Sequence, residues 1–146
     1  MLDAGSVRDA TRELALRVDH LVCSEAFARD YTGQKDSEMA LEQMGDLAPR
    51  VVITRGKLGS IWSRRPLSAA EGMTRGSVDV IPVKVVDSTG AGDAFHAGYC
   101  AALAEGMEWD EVLSWASGCG TLACMKMGAR PSMPDRVTLE QLLASR

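Results

Sequence analysis

The order of apolar and polar positions divides the chain into short β-branched runs and longer helical stripes. Leu2-Asp3-Ala4-Gly5 reads as the tail of a strand and its turn. Ser6 is placed to cap the next helix with Asp9 at the capping-box position, and Val7, Ala10, Leu14 and Val18 recur at helical spacing. Leu21-Val22-Cys23 predicts a short strand, and a helix opens at Ser24. Ser37 is expected to cap a helix bearing Leu41, Met44 and Ala48, ending before Pro49. Val51-Val52-Ile53-Thr54 predicts a strand buried on both faces, so the span from Leu21 to Thr54 fits a parallel crossover. Ser60-Ile61-Trp62-Ser63 and Val78-Asp79-Val80-Ile81 predict neighbouring antiparallel strands with a turn around Glu71-Gly72. Pro82 marks a break before a last β-branched run, Val83, Val85 and Val86. Ala94, Phe95, Gly98, Ala101 and Ala102 then predict a small-residue helix ending at Gly106. Asp110 is placed to cap a second helix with Val112, Ala116, Cys119 and Ala123 on one face, and Leu139, Leu142 and Leu143 close a short third. Strands alternating with helices make the class α/β.

The chemistry concentrates where the last run meets the small-residue helix, at Asp87-Ser88-Thr89-Gly90-Ala91-Gly92-Asp93. Gly90 and Gly92 permit a tight turn and a close ligand. The N–H groups of a first helical turn have no intrahelical partner and lie at the positive end of the helix dipole, which favours an anion such as a phosphate. Asp93 falls in that turn, where its carboxylate stays ionised and available as a base. The plainer alternative is a strand–turn–helix corner whose glycines serve the turn alone.

These seven residues match, position for position, the D-[ST]-T-G-A-G-D pattern of the ribokinase (PfkB) family of carbohydrate kinases, which the chain thereby resembles. The resemblance implies a ribokinase-like three-layer α/β/α sandwich and ATP-dependent phosphorylation of a sugar hydroxyl. It makes Asp93 the base, and the amides of Gly90, Ala91 and Gly92 the anion hole. Thr54-Arg55-Gly56-Lys57-Leu58-Gly59 resembles the family's T-x-G-x-x-G nucleotide segment, which assigns Thr54, Gly56 and Gly59 to ATP, although glycines after a strand also serve plain turns. Ser117 matches a position that meets adenine or ribose. Ser24 and Phe27 stand where the family carries Asn-x-x-Glu, so the usual carboxylate for Mg²⁺ is missing, and Ser24 is either a phosphate contact or a helix cap. Gly128-Ala129-Arg130-Pro131-Ser132 resembles a loop that, with Asp87 and Thr89, binds a monovalent cation; a rigid Pro-rich turn is the alternative for Gly128 and Ser132.

The resemblance covers residues 1–146 as the C-terminal half of such a kinase domain, nucleotide-binding and base-bearing. The lid and the Gly-Gly motif of the N-terminal half are absent, and the sequence has no Gly-Gly pair. Two other functions stay open: a truncated remnant that only binds nucleotide or partners, and a nucleoside kinase. Composition agrees with a small soluble domain, with 25% charged and 46% hydrophobic residues. A net charge of −4 and no basic cluster beyond Arg64-Arg65 argue against nucleic acid, and no apolar run is long enough for a membrane span. Cys23, Cys100, Cys119 and Cys124 lie in apolar segments without metal-ligand spacing, so buried, reduced thiols in a cytoplasm are expected. The resemblance implies ATP, Mg²⁺ and a sugar as partners, and a second copy of the chain is a further expected one.

Overall fold

The computed structural model describes residues 1–66 and 72–145, which form two compact units, Met1–Ser77 and Val78–Arg146. In the first unit β1 (Leu2–Ala4), β2 (His20–Ser24), β3 (Arg50–Thr54), β4 (Ser60–Arg64) and β5 (Thr74–Val78) make a mixed sheet in the order of the chain. β1, β2 and β3 run parallel, and β4 returns antiparallel to β3. The parallel steps carry α1 (Asp9–Ala15), then α2 (Glu25–Thr32) and α3 (Ser37–Met44) as crossovers. Leu21, Cys23, Val51, Ile53 and Ile61 pack with Ala15, Phe27, Leu41 and Met44 in one core. Val22 and Val52 point the other way and are also wholly buried, as expected for strands covered on both faces. Each such side chain contributes about 1.5–3 kcal/mol by leaving water.

Four boundaries in this unit differ from the sequence expectation. Ser6 does not cap α1; Arg8 is the capping residue, and its N–H donates to the Thr11 hydroxyl at 2.8 Å. With the helix starting at Asp9, Ala15 becomes its buried residue, while Ala10 and Leu14 face solvent. Asp36, not Ser37, caps α3, because its carboxylate accepts from two amides, Glu38 at 2.9 Å and Met39 at 3.0 Å. That helix stops at Met44, and Ala48 is buried beyond its end. The last strand forms at Thr74–Val78 rather than Val78–Ile81. Gly76 in this strand lies against Trp62: a Cβ there would stand 2.6 Å from the ring, so the bare backbone packs on the indole. Glu71, half of the expected turn, lies outside the described residues.

The second unit carries α4 (Ala91–Ala104), α5 (Trp109–Ala123) and α6 (Arg136–Ala144). The run Val83–Val86 forms no strand. Pro82 offers no N–H, and the amides of Val86 and Asp87 go instead to the Cys124 carbonyl at the end of α5, at 2.8 and 3.3 Å. α4 and α5 approach closely at Gly98, where a Cβ would lie 2.6 Å from the Cys119 Sγ. Gly106, in the left-handed conformation at φ 71°, ends α4 as expected. Its N–H reaches the Leu103 carbonyl and the Met107 N–H the Ala102 carbonyl, each at 3.1 Å, the Schellman closure. Asp110 is not the cap of α5: Glu111 accepts from the Glu108 N–H at 3.0 Å, which puts the cap two residues earlier, at Glu108. Of the four thiols, Cys23 and Cys119 are buried, but Cys100 is exposed and Cys124 half-buried, so the expectation of four buried thiols holds for two. Burial pushes Cys23 up to about 12 and Cys119 to about 11, leaving both protonated.

Candidate functional site

In the second unit the Asp87–Asp93 segment becomes a loop feeding a helix. Gly90 takes φ 79°, the left-handed conformation, and stands at the N-cap of the 14-residue α4. Its Cα is pressed on Ala129, whose Cβ would be 2.7 Å from any Cβ placed at Gly90. Gly92, two residues on, has nothing within 4 Å of its Cβ position. The Ala94 amide closes the first helical bond on the Gly90 carbonyl at 2.9 Å, and the Ala91 amide donates to the Ser88 carbonyl at 3.1 Å. The first-turn N–H groups have no carbonyl within the helix to receive them. Asp93 is solvent-exposed in that turn. His96 Nδ1 lies 2.7 Å from the Gly92 carbonyl, so in the neutral ring Nδ1 holds the proton and fixes the imidazole back on the loop.

Asp87 binds two stretches of chain at once. One oxygen accepts from the Thr89 N–H at 2.9 Å and its hydroxyl at 2.7 Å; the other accepts from the Gly128 N–H at 2.8 Å. Those bonds, the Thr89 amide foremost and then Gly128, hold its carboxyl below the usual range. Gly128 is left-handed at φ 84°. Ser132 is buried, with its hydroxyl donating to the Ala129 carbonyl at 2.9 Å and its N–H to the Gly128 carbonyl at 3.2 Å. The structure thus brings Asp87, Thr89, Gly90, Gly128 and Ser132 together. Gly120 on α5 backs the same loop, since a Cβ there would sit 3.2 Å from the Ala91 carbonyl. It was not singled out from sequence, although two glycines on one helix, Gly118 and Gly120, are themselves a signal of close packing. Ser117 is buried on α5, and none of these loop contacts involves it.

The first unit holds the other set. Ser24, Thr54 and Ser60 are cross-strand partners at the carboxyl ends of the parallel strands β2 and β3, the edge where open α/β sheets take ligands. The Ser24 hydroxyl accepts from the Phe27 N–H at 3.1 Å, so it does cap α2. The Thr54 hydroxyl donates to the Cys23 carbonyl at 3.3 Å. Gly56 at φ 56° and Gly59 at φ 75° bracket a single 3-10 turn, with open space at the Gly56 Cβ position. No group of three or more His, Cys, Asp or Glu that could hold a metal occurs among the described residues. No helix among them is long and apolar enough to cross a membrane.

A mixed α/β sheet with glycine turns at the carboxyl ends of its parallel strands, and a left-handed glycine opening a helix on an exposed aspartate, belong to a ribokinase-like fold. A ribokinase-type structure from Agrobacterium tumefaciens shares that fold at a TM-score of 0.88 and 27% identity, over 98% of this chain and 46% of that one. The pfkB family of carbohydrate kinases matches residues 1–136, and the chain belongs to that family. The ribokinase of Bacillus subtilis is 34% identical over 108 residues, 73% of this chain and 34% of that enzyme. The structure of Arabidopsis thaliana ribokinase with ribose and ATP superposes with a TM-score of 0.76 at 31% identity, over 90% of this chain and 43% of that one. Fructokinase from Vibrio cholerae, with fructose, ADP and calcium, gives 0.76 at 31% over 91% of this chain and 43% of that one. The chain therefore spans less than half the length of the relatives it matches.

Proposed function

We propose that the chain supplies the nucleotide-binding and proton-accepting part of an ATP-dependent sugar kinase. As the sugar hydroxyl oxygen attacks the γ-phosphorus, its proton passes to the Asp93 carboxylate. The bond from that phosphorus to the bridging oxygen breaks, and ADP leaves with the electron pair. The amides of Gly90 and Gly92, at the positive end of α4, meet the charge gathering on the transferred phosphoryl oxygens, and the Ala91 amide joins them by exchanging its bond to the Ser88 carbonyl for one to phosphate. Thr54, Gly56, Gly59, Ser24 and Ser117 belong to the same proposal as the nucleotide contacts. The observation that carries it is the pairing of an exposed Asp93 with an unobstructed Gly92 in one helical turn.

Magnesium accompanies ATP in such chemistry and neutralises phosphate charge when bound. Ser24 and Phe27, at the positions where the resemblance expects a ligand set, bring no carboxylate to it. A monovalent cation would draw on Asp87, Thr89, Gly128 and Ser132; the Asp87 carboxylate already accepts from the Thr89 hydroxyl and the Gly128 N–H, and the Ser132 hydroxyl donates to the Ala129 carbonyl. The test is Asp93→Asn in an enzyme that joins this chain to a sugar-binding half. Turnover falls ~10²–10⁴-fold with ATP affinity nearly unchanged, and near-normal turnover would sink the assignment of the base.

A further inference from the structure

Asp87 stands three residues before the left-handed Gly90 and reaches, through one carboxylate, to Gly128. A carboxylate so near an anion-binding loop repels the anion unless its charge is turned elsewhere. Here it is turned onto the Thr89 amide and hydroxyl at 2.9 and 2.7 Å and the Gly128 amide at 2.8 Å. The same two loops meet again where Gly90 is pressed on Ala129, and the Ser132 hydroxyl holds the Ala129 carbonyl at 2.9 Å. A loop that must present amides to a phosphate works best when they are already fixed, because nothing has then to be ordered on binding.

We propose that Asp87 is a positioning residue that clasps the anion loop, Ser88 to Gly92, to the 128–133 loop, so that a phosphate bound on the first tightens the second. The coupling rests on the phosphate-binding reading of Gly90–Gly92; the clasp itself does not. Asp87→Asn keeps the side-chain shape, but in either orientation of its amide one of the two links, to Thr89 N–H or to Gly128 N–H, has no acceptor.

The experiment is residue-resolved amide exchange on residues 1–146, free and with MgATP, alongside calorimetry. In the free Asp87→Asn chain, exchange at Gly128 or Thr89 rises by about ten-fold, and ATP affinity falls about three- to ten-fold. In the unmodified chain MgATP slows exchange at 90–92 and at 128–133; in Asp87→Asn the slowing is confined to 90–92. Asp135→Asn is the control, since Asp135 likewise accepts a backbone amide, Thr138 N–H at 2.8 Å, and should leave both loops unchanged. Unaltered exchange at both amides in free Asp87→Asn overturns the clasp. Equal protection of 128–133 by MgATP in both chains overturns the coupling. No effect of MgATP anywhere on the unmodified chain overturns the phosphate-binding reading and the coupling with it, while the free-state exchange still decides the clasp.

Discussion

Gly90 and Gly92 stand two residues apart and should answer oppositely to a single added methyl group. At Gly90 the backbone is left-handed, φ 79°, which costs an L-residue about 1–2 kcal/mol. The methyl would also sit 2.7 Å from the Ala129 Cβ and 3.2 Å from its Cα, and backbone gives way poorly. Overpacking of that kind costs about 1–3 kcal/mol, so Gly90→Ala should lose about 2–5 kcal/mol in all. At Gly92 nothing lies within 4 Å and the residue is already helical. Gly92→Ala should therefore be as stable as the parent or gain up to about 1 kcal/mol from helix propensity. On the proposed phosphate-binding reading, its methyl would occupy the space through which a phosphate oxygen approaches the first-turn amides, so ATP affinity should fall by about ten-fold, and further for Gly92→Val. Urea denaturation measures the first pair of effects and calorimetric ATP titration the second. Parent-like ATP affinity in a folded Gly92→Val chain would refute the phosphate cradle. Parent-like stability of Gly90→Ala would refute the close contact with Ala129.

Three further outcomes follow from the packing and the charges. Burial first, and Arg50 next, lower His20 to about 4, so its ring is neutral when folded and takes a proton near pH 6.5 when unfolded. The unfolded state then binds more protons between those values: stability is full above about pH 6.5, declines towards pH 4, and levels off below. His20→Gln should flatten that slope in urea midpoints, and an unchanged slope would count against it. Leu139→Ala empties a buried site on α6 that packs on Gly118, and should cost about 2–5 kcal/mol; a loss under about 1 kcal/mol would mean the helix is loosely held. β1 ends the strand order, and Leu14, Leu16, Val85 and Val86 are exposed, so residues 1–146 should self-associate as concentration rises. Light scattering that reports a monomer at every concentration would refute this.

Strands and helices were legible where a single local rule governs. Val51–Ile53 reads as a doubly covered strand because three consecutive β-branched residues leave neither face polar, and all three are fully buried. Val112, Ala116, Cys119 and Ala123 read as one helical face and are buried as one. Helix starts were less legible, because neighbouring polar side chains compete for the same amides. Asp36 displaces Ser37 since a carboxylate accepts two amides where a hydroxyl serves one, and Glu111 reaches back past Asp110. The Val83–Val86 run carried the β-strand pattern in full and still formed none. A strand needs an acceptor alongside, and here the acceptor for Val86 and Asp87 is a helix-end carbonyl at Cys124.

The candidate site divides along the same line. The turn at Gly90, the helix end behind it and the exposure of Asp93 are consequences of residues within a few positions of one another, and a contiguous pattern shows them. The partners that fix that turn are remote: Gly128 lies 41 positions from Asp87, and Ala129 and Gly120 come from other segments. Nothing in the spacing of Asp87 says whether its carboxylate faces solvent, a cation or another loop, because that choice is made by the fold that carries Gly128 to it. What a local pattern specifies is the chemistry proposed for it, amides at a helix start and an exposed carboxylate. How firmly that helix start is held depends on contacts that exist only once α5 has delivered Gly120 and Cys124 to the loop.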